Sequence, residues 1–358
     1  MSEMPDCPPK TEKPTLESTV TKERPKRQAQ PVEFEREPLF PLHPVVTREF
    51  HLPTPPIKRC GEIIAHVIAT GGSGCSFAAY PRFGKTYASE YLQQKLAEAF
   101  PTLPIVLFNA HHTKRPSEAS FYADLLDQSG FAAINSGPSS NMRQRVVRAW
   151  WVMADARQST RLAFIGDEMQ RLSPDEYTWL IDLMNDLHRM NVRVVGVLFG
   201  QPELASLRSV LRESHRGDIL GRFMSRFYAF DGINSAAELS EVMQCYDNPS
   251  ELDYPRESGY SYSRFFFPQA YAHGWRLAAS AQDLWESFRH EARTRLSTPS
   301  KVQKLSVGME WVAGALQYVL TTLVDSDKPQ FSLSRQHWTD AVLSSGFGES
   351  LGWTYEPH

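Results

Sequence analysis

The string Ala79-Tyr80-Pro81-Arg82-Phe83-Gly84-Lys85-Thr86 constrains this chain more than any other stretch. It reads as a phosphate-binding loop of the form G-x-x-x-x-G-K-[ST], with Ala79 at the first glycine position. Gly84 lets backbone approach a phosphate oxygen, Lys85 reaches the terminal phosphates, and the Thr86 hydroxyl suits Mg²⁺. N–H groups opening the following helix point at the anion. Such a loop works only between a buried strand and a helix. The flanks supply both: Ser76 to Ala79 is a short apolar run, and Tyr87 to Phe100 carries Tyr91, Leu92, Leu96 and Phe100 near helical spacing. Arg82, Phe83, Gly84, Lys85, Thr86 and Tyr87 are therefore the expected nucleotide contacts, with a surface loop as the structural alternative.

The same alternation continues along the chain. A helix is expected over Ile57–Ala69, broken by Gly71-Gly72-Ser73-Gly74. Further strands are expected at Pro104–Phe108, Arg161–Ile165, Val192–Phe199 and Phe227–Phe230. Helices are expected at Ser117–Leu126, Asn141–Ala156, Pro174–Met190 and from near Leu204. Continuous apolar strands alternating with helices describe a parallel sheet covered on both faces. Beyond residue 233 the strand signals fade and the chain reads as helical. Residues 1 to about 45 are rich in Pro, Glu, Lys and Thr, a composition too poor in apolar side chains to order itself. Pro53-Thr54-Pro55-Pro56 reads as the hinge into the folded part.

With 358 residues, a net charge of −3 and four scattered cysteines, the chain excludes several classes. No global basic field attracts nucleic acid, so any such site is a local patch. The cysteines lack metal-ligand spacing and argue for a reducing compartment. No apolar run is long enough for a membrane span, and the polar, proline-rich start does not read as a secretory signal. His111-His112 makes a poor chelate because adjacent strand residues point to opposite faces. Trp150-Trp151 and Phe265-Phe266-Phe267 read as core or interface.

A second acidic motif sharpens the nucleotide reading. Phe164-Ile165-Gly166-Asp167-Glu168 places two acids at the tip of an apolar strand. Asp167 suits Mg²⁺, and Glu168 suits the polarisation of an attacking water. An acidic helix N-cap is the alternative. Gln201 follows the next strand, where it suits orientation of water or sensing of the γ-phosphate. Pro202 beside it also suits a plain helix start. Arg222, with Arg226 second, is the candidate arginine for completing a neighbouring subunit's site, against an ordinary surface salt bridge. Arg276, in His273-Gly274-Trp275-Arg276, is a candidate lid contact to the nucleotide, against ordinary helix surface.

Taken in order, Arg82-Phe83-Gly84-Lys85-Thr86, Gly166-Asp167-Glu168, Gly200-Gln201-Pro202-Glu203-Leu204 and Arg222-Phe223 resemble the AAA+ ATPases that regulate transposition. The group is that of TnsC and TniB, with the phage protein MuB more distant. The resemblance covers roughly residues 57 to 290. It implies an α/β P-loop AAA+ core with a parallel sheet flanked by helices, over residues 46–232, then a small helical lid over 233–295. Residues 1–45 become a proline-rich tail, and 296–358 a C-terminal helical extension suited to partner docking. It further implies ATP and Mg²⁺ as cofactors and ATP hydrolysis through Glu168, Gln201 and Arg222. Head-to-tail assembly on double-stranded DNA as a filament or ring follows, with recruitment of transposase and target-selector proteins in a bacterial cytoplasm. Positions that face DNA in such proteins correspond loosely to Thr113, Lys114 and Arg115 and to Ser139, Asn141 and Arg143, all types that contact phosphate; a solvated basic loop is the alternative. Two other expectations stay open: a scaffold that holds nucleotide structurally, and a secretion or defence ATPase with the same core.

Overall fold

The structure is a computed structural model that describes residues 35–131 and 139–355. Five strands form one all-parallel sheet in the order β2-β3-β4-β1-β5. They are β1 (Gly74–Ala78), β2 (Ile105–Asn109), β3 (Arg161–Asp167), β4 (Arg193–Gly200) and β5 (Phe227–Ala229). Side chains alternate between two buried faces. Cys75, Phe77, Ala163, Ile165, Val195, Val197 and Phe199 enter one apolar cluster. Val106, Phe108, Leu162, Phe164, Val194 and Leu198 enter the other. Burial on both faces is why the strands read as continuous apolar runs.

The connecting helices are α2 (Pro55–Ala69), α3 (Lys85–Ala99), α4 (Glu118–Gln128), α5 (Ser139–Asp155), α6 (Pro174–Arg189), α7 (Glu203–Glu213) and the short α8 (Gly217–Ile219). Local chemistry sets their ends. Pro174 opens α6, whose first turn closes in a capping box: Glu176 N–H donates to the Ser173 hydroxyl at 3.3 Å and Ser173 N–H to Glu176 Oε2 at 2.8 Å. A π-helical turn over Leu220–Met224 precedes β5.

After β5 the chain is helical, as expected: α9 (Ala236–Asp247), α10 (Tyr262–Phe266), α11 (Pro268–Ala272), α12 (Ala281–Arg295), α13 (Pro299–Gln303), α14 (Met309–Thr322), α15 (Arg335–Ser344) and α16 (Phe347–Tyr355). One apolar cluster runs without interruption from the sheet face through these helices, joining Phe77, Phe83, Phe288, Trp311, Trp338 and Phe347. Residues beyond 296 therefore share the core of the nucleotide half and do not hang off it.

Two local expectations are corrected. Residues 35–45 have the composition of an unstructured tail, yet a 3-10 helix (Glu37–Leu42) and α1 (Pro44–Thr47) occupy this stretch. Val45 is buried, Leu39 and Phe40 pack on the same core, and Arg36 donates to the Phe265 carbonyl at 2.8 Å. Pro53-Thr54-Pro55-Pro56 is no hinge: Pro55 and Pro56 are buried in the first turn of α2, where proline's missing N–H costs nothing. Residues 1–34, with the basic run Lys22 to Arg27, lie outside the described residues. Among the described residues, no helix is long and apolar enough to cross a membrane.

Candidate functional site

The carboxyl ends of β1, β3 and β4 meet along one edge of the sheet, the edge where parallel α/β sheets bind ligands. Residues 79–84 leave β1 and turn into α3. Gly84, at φ 94°, and Arg82, at φ 66°, both adopt the left-handed conformation, which for Arg82 is uncommon outside constrained loops. Ala79 is not among the left-handed residues; its N–H donates to the Gly200 carbonyl at 3.0 Å and its methyl is buried. A glycine is therefore not required there.

Lys85 begins α3 and is 6% exposed. Its ammonium lies inside the loop, donating to the carbonyls of Ala79 at 3.1 Å and Tyr80 at 3.3 Å. Burial pushes its pKa down, while Glu168, Asp167 and Glu203 hold the charge in place. The Thr86 hydroxyl donates to Asp167 Oδ2 at 2.9 Å, tying the loop to the tip of β3. Asp167 is 7% exposed and receives the Glu168 N–H on Oδ1 at 2.8 Å. Burial raises its pKa; those two hydrogen bonds and Lys85 oppose the rise.

Glu168 adopts a left-handed backbone, φ 54°, which turns its carboxylate back over the edge. Its Oε2 receives Gln170 Nε2 at 2.9 Å and Gln201 Nε2 at 3.0 Å, and pairs with Arg171 at 3.0 Å. Gln201 N–H donates to Gln170 Oε1 at 3.0 Å. The structure thus brings together Lys85, Thr86, Asp167, Glu168 and Gln201, drawn from three strand ends.

These residues open on a cavity of about 370 Å³ whose lining includes Arg82, Phe83, Gly84, Lys85, Thr86, Tyr87, Glu168 and Gln201, a size suited to a small-molecule ligand. Its far end is apolar, walled by Val45, Phe50, Leu52, Ile57, Tyr246 and Ala313. Phe83 does not plug it: the ring is 4% exposed and meets Trp311 edge-on at 6.0 Å. Gly308 passes so close to the Arg82 carbonyl and the Trp311 ring that a side chain there would collide with both. Glu310 N–H then donates to the Arg82 carbonyl at 3.3 Å, which seats α14 on the loop.

The residue set suits a magnesium-bound triphosphate. The Thr86–Asp167 pair offers two oxygen ligands, and Mg²⁺ ordinarily completes its shell with water and phosphate. Among the described residues there is no cluster of three or more His, Cys, Asp or Glu side chains able to hold a metal.

Other expected residues fall elsewhere. Arg276 is not among the residues that line the cavity. Its guanidinium stacks on the Tyr271 ring at 3.6 Å and donates to the carbonyls of Tyr271 at 2.9 Å and Trp275 at 2.6 Å, so it stabilises its own turn. Arg222 and Arg226 sit at the opposite edge of the sheet. Ser73 and Ser76, at the start of β1, donate to the Gly221 and Phe223 carbonyls, and Ser76 N–H donates to the Arg226 carbonyl. Arg222 itself donates to Asn185 Oδ1 at 2.9 Å. That edge is the amino end of β1, away from the phosphate loop at its carboxyl end.

Thr113, Lys114 and Arg115 are exposed on the loop that follows β2, and Asn141 is exposed in the first turn of α5. The Ser139 side chain lies outside the described residues. Arg143 lies against α6, with Asp186 at 3.3 Å and Asp182 at 3.7 Å. His111 pairs with Asp124 at 3.4 Å. Sequence reasoning missed Arg171, Arg48 and Glu310. No local motif marks them, and their partners lie on other elements or in turns of irregular geometry.

Residues 74–207 match the model of a family described as "AAA domain". No curated protein matches the chain. Among solved structures, the Aeropyrum pernix ORC1 protein in complex with DNA aligns at 12% identity and a TM-score of 0.42, covering 80% of this chain and 63% of that one. The Aeropyrum pernix ORC2 protein (ADPNP-ADP complexes) aligns at 14% identity and 0.47, covering 84% and 71%. Cdc6p from Pyrobaculum aerophilum aligns at 11% identity and 0.40, covering 86% and 88%. The chain thus spans less than two thirds of the ORC1 chain. With its parallel sheet, phosphate loop and helical C-terminal region, the chain has the AAA+ P-loop fold and carries an AAA-type domain over residues 74–207.

Proposed function

We propose that this chain is an ATPase switch that assembles on duplex DNA and regulates transposition, in the manner of the TnsC and TniB proteins its motifs resemble. The observation that carries the ATP half is the meeting of Lys85, Thr86 and Glu168 on one cavity, with Asp167 tied to it through the Thr86 hydroxyl. Mg²⁺ held by Thr86 and Asp167 would supply positive charge to offset that of the phosphates. Lys85 and the loop N–H groups bind the phosphates. Thr86 and Asp167 hold the ion. Glu168, oriented by Gln201, takes the proton of the attacking water. Arg222 of one subunit completes the site of the next, which makes assembly head-to-tail.

The DNA half rests on the exposed Thr113, Lys114, Arg115 and Asn141 and on the motif order that resembles the transposition branch. At a net charge of −3, DNA affinity depends on this local patch, falls steeply with salt and ignores sequence. Target-selector proteins and transposase are the expected protein partners.

A second reading has support of its own. Glu168 Oε2 is engaged by three donors at once, Gln170, Gln201 and Arg171. A carboxylate so occupied is a poor base, which favours a scaffold that keeps its nucleotide and hydrolyses slowly. Electron microscopy with duplex DNA under ATP, ADP and no nucleotide, beside a phosphate-release assay, separates the readings. The switch gives ATP-dependent filaments or rings and DNA-stimulated release. Assemblies with negligible release under all conditions favour the scaffold. Absence of any DNA assembly overturns the DNA half and favours another AAA+ function, such as a secretion or defence ATPase.

A further inference from the structure

We propose that Arg48 is a nucleotide-binding residue, held by Glu310 until the anionic chain of a nucleotide takes its place. This rests on the reading of the cavity as a nucleotide site and adds the residues that control entry to it.

Arg48 follows α1 and lines the same cavity as Lys85, Thr86, Glu168 and Gln201. It lies at φ 62° and ψ 25°, the left-handed region that residues with a Cβ seldom occupy. That conformation turns the chain from α1 toward α2, and its carbonyl accepts the Tyr87 hydroxyl at 3.3 Å, one residue past Thr86. The side chain crosses to α14, where one terminal nitrogen pairs with Glu310 Oε1 at 2.9 Å and Nε donates to Gln317 Oε1 at 2.8 Å. Glu310 also lines the cavity, and its own N–H is bonded to the Arg82 carbonyl of the phosphate loop. The segment after α1 and the first turn of α14 are thus clamped together across the cleft by one ion pair.

The chemistry of that pair favours exchange. Both side chains are about half exposed, at 42% and 44%, and ion pairs at such exposure contribute little to stability. A guanidinium presents a planar fork of donors that matches phosphate oxygens, and charge-assisted bonds to a polyanion are the stronger ones. The cavity already carries the carboxylate of Glu168, with Asp167 close by. An arriving polyphosphate meets those acids plus Glu310, so Arg48 leaves Glu310 for the ligand and supplies a cation where Arg82 and Lys85 are the only others in the lining. Glu310 therefore opposes nucleotide binding by competing for Arg48, and it reports the exchange to the loop through Arg82.

Calorimetric titration of ATP and of adenosine into the full chain tests this, with Lys85→Ala as the control for the site itself. Arg48→Ala is expected to weaken ATP about tenfold and to leave adenosine unchanged, with Arg48→Lys in between. Glu310→Gln is expected to tighten ATP about two- to fivefold, again without effect on adenosine. Thermal melts show that each variant is folded. Wild-type ATP affinity in Arg48→Ala overturns the assignment while leaving the nucleotide site intact. Equal losses for ATP and adenosine make Arg48 a wall of the apolar end and overturn it too. Weaker ATP binding in Glu310→Gln makes Glu310 a ligand, contrary to the exchange. If the wild-type chain binds no ATP, the nucleotide reading falls and this one with it.

Discussion

The carboxyl edge of the sheet and the helical cap over it form one cavity by different means. At the edge, each functional side chain is set by its own strand: Lys85 by the turn out of β1, Asp167 and Glu168 by the tip of β3, Gln201 by the tip of β4. In the cap, Arg48 meets Glu310 across 262 residues of sequence, and Phe83 meets Trp311 across a comparable span. The edge is specified by local spacing, the cap by tertiary packing. Chemistry inherited from a loop motif is therefore closed off by parts of the chain with no motif of their own.

Trp311→Ala bears on this comparison most heavily. Trp311 is 1% exposed and packs between Phe83 of the loop and Phe347 of α16. Its truncation should cost about 3–5 kcal/mol of stability and weaken ATP binding, read by urea denaturation and titration. A loss under about 1 kcal/mol would show that the C-terminal helices are an appendage and break the claim of one shared core.

Glu168→Gln isolates the edge. ATP binding and DNA assembly should persist while phosphate release falls about a hundredfold or more, the usual worth of a general base. Release at the wild-type rate would remove Glu168 from the chemistry. Lys114→Glu with Arg115→Glu tests the loop after β2: DNA affinity should fall and the salt dependence should flatten by about two phosphate contacts. Unchanged salt dependence would place the DNA elsewhere.

The legible part of the molecule follows the same division. Strands and helices from residue 57 to 230 were readable because burial on both sheet faces writes unbroken apolar runs and each helix keeps its period. β3 extends two residues beyond the expected Ile165, because Gly166 and the polar Asp167 stay in the ladder opposite Phe108 and Asn109. Residues 35–45 read as tail because prolines and charges dominate them, yet Pro44 opens α1 and Val45 packs in the core with distant helices. Arg276 resembled a nucleotide contact by its neighbours in sequence, but its nearest acceptors are carbonyls of its own turn. Arg143 sits on a helix face that α6 covers with acids, which no local pattern announces.

The smallest expected effect belongs to His43 in the cap. It is fully buried, accepts the Val45 N–H on Nδ1 at 3.1 Å, and is ringed by Tyr254, Tyr262, Phe265 and Phe266 at centroid distances of 4.6–4.7 Å. Burial lowers its pKa from 6.5 to about 3. The unfolded chain therefore binds the proton first, so stability present above pH 6.5 drains away as pH falls toward 3. Urea midpoints of the wild type and of His43→Gln should converge between pH 7 and pH 4.5 on the order of a single linked proton; parallel declines would contradict the linkage.

The central claim is that Lys85, Thr86 and Asp167 grip a magnesium-bound triphosphate at the sheet edge, and equilibrium binding of Mg·ATP tests it most directly. The wild-type chain should bind saturably, and Lys85→Ala should lose about a hundredfold in affinity while keeping its fold by circular dichroism. Equal affinity in the two proteins, or no binding by the wild type, would contradict the account.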